Sequence, residues 1–431
     1  MEETLDFFSF SDPNVQFVVI GTMILGATAA MVGTFAFLRK RALVGDAIAH
    51  SILPGVCLSF MISGSKNPLG LIAGALITGW LSLLLIDAIS RTTKLKSDAA
   101  IGIVLSVFFG FGILLLTSIQ HSGNAAQSGL DKFLFGKAAS LTQDDIFIFS
   151  GIGLGLILLV LLFYKEFKLI SFNPDFAKVI GLPVRFLEFL LSTITVLAVA
   201  VGIQAVGVVL MAALLITPAS GARFWTNRLG YMLLIAIAFG AISAFMGSYI
   251  SYIAPSMPTG PWVVMCLSIL AIGSIWLAPK SGMMARYKIH RENKQKIRSE
   301  NVLKLFYHLG EVNQDFESGR SFETLKNSRE LTDHELNKGL AQLKKKNYVR
   351  KMADQWYVTH TGLQESKRII RLHRLWEMYL NQRLKLQPDH VHNDAEAIEH
   401  IITPEIERQL EKELAYPKMD PHQSKIPYND K

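Results

Sequence analysis

The sequence predicts an all-α polytopic membrane domain of about nine transmembrane helices, followed by a mainly α cytoplasmic domain built on a winged helix-turn-helix. Three observations carry this. Half of the 431 residues are hydrophobic and the mean hydropathy is +0.32, too apolar for an ordinary soluble enzyme. The charge is uneven: residues 1–279 hold 15 of the 43 Lys and Arg and 13 of the 35 Asp and Glu, leaving 28 and 22 for residues 280–431. The charged part then shows short amphipathic helical patterns followed by one alternating hairpin pattern.

Apolar stretches long enough to span a bilayer recur at about 15–38, 43–63, 68–90, 98–118, 146–164, 185–203, 205–221, 230–253 and 261–278. Many carry glycines and other small residues, as in GTMILGATAAMVG and GLIAGALITG, which let helices approach closely, as transporters need. The segments between them alternate in basic content. Arg39, Lys40 and Arg41, then Arg91, Lys94 and Lys96, then Lys165, Lys168, Lys178 and Arg185, then Arg223 and Arg228 mark one side; Lys66, Lys132 and Lys137 mark the other. Twelve cations against three place the N-terminus outside and the C-terminus in the cytoplasm. The acidic start MEETLDFFSFSDPN lacks the basic region of a signal peptide. Cys57 and Cys266 both lie in apolar runs and read as packing residues.

Ionisable groups inside apolar runs are functional candidates. In VGDAIAHSILPG, Asp46 and His50 lie four apart on one helix face, just before Pro54 and Gly55, which break a helix and turn carbonyls inward. A carboxylate and an imidazole suit a divalent cation; the alternative pairs Asp46 with Arg41 or Arg39 and leaves His50 as a packing hydrogen bonder. Asp87 is expected to pair with Arg91, and Glu188 with Arg185. No P-loop is found. GLDKFLFGKA comes nearest, with six residues between its glycines and Ala138 where Ser or Thr would hold magnesium, so any ATP would be hydrolysed by another polypeptide.

The segments RALVGDAIAHSILPGVCLSF, SDAAIGIVLSVFFGFGILLLTS, SFNPDFAKVIGLPV, QAVGVVLMAALLITPASGARFW and PTGPW resemble, in family order, the permease subunits of ABC transporters that import manganese, zinc or iron. The resemblance implies a permease pairing with itself or a second permease in the bacterial cytoplasmic membrane. A separate cytoplasmic ATPase and an extracellular metal-binding lipoprotein would serve it. It also implies a metal path through Asp46 and His50, and ATPase coupling through PASGARFWTNRL, at Ala222, Arg223, Phe224, Trp225 and Arg228. A membrane-anchored metal-dependent transcription regulator is the alternative function.

Residues 280–298 read as a basic linker. A basic soluble part points to nucleic acid or an anionic membrane as partner; the alternative is that RYKIHRENKQKIR merely keeps the chain's inner side positive. Within 299–361, SENVLKLFYHLG, SFETLKNS and LTDHELNKGLAQLKKKN form three helices, and YVRKMADQWYVTHTG a hairpin turning at Ala353-Asp354. In this winged helix the third helix offers His334, Asn337, Lys338 and Lys344 for DNA contact, although such folds also dock proteins. From 362 to 431 a long helix, GLQESKRIIRLHRLWEMYL, is followed by VHNDAEAIEH, where His392, Glu396, Glu399 and His400 fall on one helical stripe. His373 and Glu377, four apart, would face it. The plain alternative for these ligand-type residues is a solvated face. EAIEH lacks the first His of the HxxEH peptidase motif, and no catalytic architecture accompanies it.

This stretch, with PEIERQLEKEL and YPKMDPHQSKIP, resembles the dimerisation and metal-sensing region of the diphtheria-toxin-repressor family of manganese- and iron-dependent repressors. The resemblance implies a helical dimerisation and metal-binding region in which His373, Glu396, Glu399 and His400 bind a divalent Mn, Fe or Zn ion, with Glu377 and His392 in an ancillary site. One departure stands out. Where the first helix of those repressors supplies ligands, this chain has Asn301 and Lys304, an amide and a cation, which weakens the link from metal to DNA.

Overall fold

The computed structural model describes residues 2–39, 42–65, 67–121, 141–254, 257–328, 331–384 and 403–428. The chain divides into two compact units, Met1–Arg286 and Tyr287–Lys431.

The first unit is entirely helical among its described residues. A short helix α1 (Glu2–Ser9) precedes α2 (Pro13–Leu38), whose start is fixed by Asp12 accepting from the Asn14 amide and by Pro13 in its first turn. Next come α3 (Ala42–Ser51) and α4 (Leu53–Ser63), two halves of one apolar span. They are followed by α5 (Pro68–Thr92), α6 (Ser97–Gln120) and α7 (Gln143–Leu162). Two short helices, α8 (Tyr164–Phe172) and α9 (Pro174–Val179), lead to α10 (Val184–Val206), α11 (Val208–Arg223), α12 (Leu229–Ile253) and α13 (Thr259–Leu277).

Among the described residues eight helices are long and apolar enough to cross a membrane. The ninth expected span, 205–221, appears as the 16-residue α11. At ~1.5 Å per residue it covers about 24 Å, short of a ~30 Å hydrocarbon layer. Gly207 sets this limit: its φ of 82° ends α10 and restarts the chain as α11, a conformation that favours glycine. α11 is nevertheless central, packing on α2, α3, α12 and α13.

Backbones meet where the small residues fall. A Cβ on Gly55 would collide with the Gly74 carbonyl, and one on Gly26 with that of Gly240, so α4 lies directly on α5 and α2 on α12. The main core gathers Ile48, Ile52, Val56 and Cys57 around Val199, Met211 and Leu214.

The second unit opens in α14 (Met283–Asn313), a 31-residue helix whose first residues belong to the first unit. The stretch 280–298, expected as a linker, is therefore helical from Met283 onward. Its Arg, Lys, Gln and Met residues are good helix formers, and Lys296 pairs with Glu300 at 3.8 Å across one turn. Then follow β1 (Arg320–Ser321), α15 (Phe322–Asn327), α16 (Asp333–Lys345), β2 (Val349–Met352) and β3 (Gln355–Val358). The sheet order is β1-β3-β2, antiparallel throughout, and Met352 faces Gln355 across the expected Ala353-Asp354 turn. Thr332 and Glu335 form a reciprocal capping box that starts α16. Leu336, Leu340 and Leu343 of α16 pack on Val302, Leu303 and Phe306 of α14. α17 (His360–Leu384) and α18 (Pro404–Glu413) are the last described helices, and the segment after them forms an antiparallel bridge between Met419 and Lys425.

Candidate metal centres

In the first unit Asp46 and His50 share a face of α3. Their side chains are 40% and 22% exposed, and His50 Nε2 lies 3.5 Å from Asp46 Oδ1. The His50 ring stands edge-on to Phe109 at 4.9 Å between centroids. Its other nitrogen, Nδ1, is buried with no hydrogen-bond partner, and so is the Ser51 hydroxyl beside it. The helix breaks one residue later, at Ile52, and α4 resumes with Pro54 in its first turn. Proline has no N–H to give the His50 carbonyl four residues back, as expected of a break that frees backbone oxygen. The Ile52 carbonyl accepts from the Val56 amide at 3.1 Å, with the Thr78 hydroxyl of α5 at 3.4 Å.

An imidazole, a carboxylate and the His50 carbonyl, left without a donor at Pro54, suit a first-row divalent ion. Among the described residues, no group of three His, Cys, Asp or Glu side chains comes together. The pair is thus half a ligand shell. Of the alternative partners for Asp46, Arg41 lies outside the described residues, and Arg39 holds Glu188 at 2.5 Å. That last contact corrects the expected Glu188–Arg185 pair. The guanidinium reaches across from the end of α2, whereas Arg185 lies one turn back on α10 itself.

Of the expected coupling residues, Arg223 ends α11 and is exposed, as is Arg228, and Trp225 is 43% exposed. Phe224 is half-buried, and its carbonyl accepts from the Ser281 hydroxyl. Ala222 is fully buried against Ala30 and Met232, so it packs the interior and offers no docking surface. The segment from Phe224 to Arg228 is a turn with no helix of its own.

In the second unit His373 and Glu377 lie on α17 with side chains 7% and 3% exposed, and His373 Nε2 stands 3.1 Å from Glu377 Oε1. A buried imidazole–carboxylate pair of this kind fits two ligands of a divalent metal. His392, Glu396, Glu399 and His400 lie outside the described residues. Lys304 is 2% exposed on the inward side of α14, and the buried Asn301 Oδ1 has no hydrogen-bond partner. An apolar environment, then the cations of Lys304 and Arg374, push the half-exposed His308 imidazole down to about 4.

An ion-pair network surrounds this helix. Arg374, next to His373, clamps Glu311 of α14 with both terminal nitrogens, at 3.0 and 2.8 Å, and sits 3.4 Å from Asp420. Arg371 pairs with Glu407 at 2.7 Å and Glu411 at 3.0 Å. Sequence reasoning missed Arg374 and Glu311, 63 positions apart; an arginine abutting a ligand-type His was the only available hint. His334, Asn337, Lys338 and Lys344 are all exposed on α16. His334 and Lys338 join Arg291, Lys294 and Arg298 of α14 along a basic groove of about 630 Å³.

Residues 11–278 match the family model of the ABC 3 transport family, and residues 359–428 match the iron dependent repressor, metal binding and dimerisation domain. The manganese transport system membrane protein MntC of Bacillus subtilis is 42% identical over 375 residues, covering 87% of this chain and 86% of that protein. The zinc transport system membrane protein TroC of Treponema pallidum is 43% identical over 291 residues, 68% of this chain and 97% of that one. Among solved structures, PsaBC of Streptococcus pneumoniae in complex with Fab superposes with a TM-score of 0.59 at 32% identity, over 67% of this chain and 99% of that one.

Proposed function

The chain belongs to the ABC 3 transport family, and from that premise we propose that it imports a first-row divalent metal ion, manganese foremost, under control of its own repressor-like tail. It is a multi-pass membrane permease; ATP hydrolysis falls to a separate ATPase subunit seated on the turn around Arg223, Phe224 and Trp225. An extracellular metal-binding lipoprotein delivers the ion, and a second permease copy completes the pathway. The C-terminus is cytoplasmic, in keeping with the excess of cations on that side.

The observation that carries this reading is the Asp46–His50 pair at the break in a membrane span. An ion held at ~2.1 Å from each atom sets two ligand atoms about 3.0 Å apart at an octahedral angle and about 3.4 Å apart at a tetrahedral one; the pair stands at 3.5 Å, within a small side-chain adjustment of either. Neutral imidazole and ionised carboxylate supply one negative charge. Backbone oxygens at the break and groups from the second permease supply the remaining ligands. Alternating access then exposes this site to one side and the other as the ATPase drives the permease pair.

The tail reports cytoplasmic metal through His373 and Glu377, with Glu396, Glu399, His400 and His392 completing its two sites. The Arg374–Glu311 clamp joins the metal-binding helix to the first helix of the winged unit, so occupancy is felt there. Lys304 and Asn301 stand where metal would otherwise engage that first helix, which favours direct inhibition of transport over DNA-dependent repression. Metal must bind one tail conformation better than the other for this to operate.

The test is cellular manganese, iron and zinc content in strains lacking the chain, carrying it, or carrying it truncated after Lys280. The chain is expected to raise one metal, and truncation to raise it further when that metal is plentiful. If truncation changes nothing, the inhibitory role fails. If no metal moves with the ATPase present, the importer reading fails.

A further inference from the structure

A groove of about 610 Å³ runs between α8 and the start of α12, apart from both metal centres. Its rim carries Lys168 and Arg228, and among the described residues no carboxylate pairs with either. Tyr164 lies beside them, with Phe172, 56% exposed, and Tyr231, 57% exposed. Leu234, 64% exposed, continues the wall about 7–8 Å down α12 from Leu229 at ~1.5 Å per residue. Two cations, then tyrosines, then bare aliphatic surface along a membrane span is the polarity order of one phospholipid, headgroup to acyl chain.

We infer that this groove holds an anionic phospholipid, its phosphodiester between Lys168 and Arg228 and one acyl chain along Tyr231 and Leu234. The inference rests on the membrane reading above and on the basic end of the spans being cytoplasmic. It does not depend on which ion is carried. A zwitterionic lipid brings its own ammonium against two cations and is held less well. A water-soluble ATPase can meet the cationic rim but cannot follow the wall down a membrane span. Glu166, the carboxylate of α8, is not among the residues lining the groove. Gly230 leaves room at the mouth: a Cβ there would stand 3.5 Å from the Tyr164 hydroxyl, so only a larger side chain fills the groove.

The experiment is native mass spectrometry of the full chain purified in detergent, with phosphatidylglycerol, phosphatidylcholine or inorganic phosphate added. The chain should retain one phosphatidylglycerol in preference to phosphatidylcholine. Lys168→Glu should weaken that retention about fivefold or more, each interfacial cation being worth about that factor, and Gly230→Leu should weaken it with no change of charge. Circular dichroism checks that both variants fold, and the uncharged variant keeps the test decisive where charge reversal fails to fold. Equal retention of both lipids, or retention untouched by both variants, overturns the inference. Displacement of lipid by millimolar inorganic phosphate makes the groove a free-anion site and overturns it too. Protection of Tyr231→Cys from thiol reagents by the ATPase, with none from phosphatidylglycerol, would assign the groove to the ATPase instead. Loss of lipid binding with metal uptake intact leaves the transport reading standing, and the reverse outcome leaves the lipid site standing.

Discussion

Asp46 and His50 are legible from sequence because an i, i+4 pair depends only on helix geometry. On the proposed reading, removing either side chain removes affinity for the transported metal. Asp46→Asn and His50→Ala are each expected to cut metal uptake at least tenfold while the protein still reaches the membrane, measured as accumulation in cells depleted of that metal. His308 offers a second handle. Its imidazole titrates near 4 in the folded chain, below the usual 6.5. The unfolded chain therefore takes up the proton first, and folding weakens as pH falls from 6.5 toward 4. Thermal unfolding of the tail region should show that decline, and His308→Asn should flatten it; the half-exposed ring keeps the effect small. By contrast, the Arg39–Glu188 contact joins positions 149 apart, and no local pattern encodes it. The Glu188–Arg185 expectation followed spacing alone, and the distant guanidinium prevailed.

At the scale of elements, hydropathy located every long span, since length and apolarity are all that a membrane crossing demands. It overestimated α11, because a run of apolar residues does not reveal that Gly207 will take a positive φ. It underestimated α14, because a basic run reads as solvated whether or not it is helical. Close approaches are legible only as an abundance of glycine, not as which glycine meets which. Gly55→Val is expected to lower the melting temperature in detergent sharply, since its side chain would enter the Gly74 backbone. Gly110→Ala, with nothing within 4 Å of its added carbon, is expected to be neutral or slightly stabilising. In the tail, Thr332→Ala removes the hydroxyl of the α16 capping box and should cost about 1 kcal/mol of stability, read by denaturant unfolding.

Over the whole molecule, the change in charge density near residue 280 announced two bodies, and the chain divides at Arg286 and Tyr287. Family resemblance named both; physics alone gave a transporter and a basic soluble part. Neither exposed the Arg374–Glu311 clamp, which ties α17 to the first helix of the winged unit. Arg374→Ala strands the buried Asp420 and the half-buried Glu311, at a cost of about 3 kcal/mol, so the tail should melt earlier. Arg374→Lys restores the charge without the two-pronged grip. It should recover much of the stability while, on the proposed regulatory reading, metal ceases to restrain uptake, measured as transport rate against cytoplasmic metal load.

The paired glycines have a mechanical corollary. Backbones in direct contact, as at Gly55 with Gly74 and Gly26 with Gly240, cannot slide by small increments. They behave as welds, making α4 with α5, and α2 with α12, into stiff beams. A machine built of welded beams bends at its unwelded joint, and the joint beside Asp46 and His50 is Ile52, between α3 and α4. An ion held by that pair would ride on the hinge itself, and each stroke of the permease would reshape its ligand shell directly.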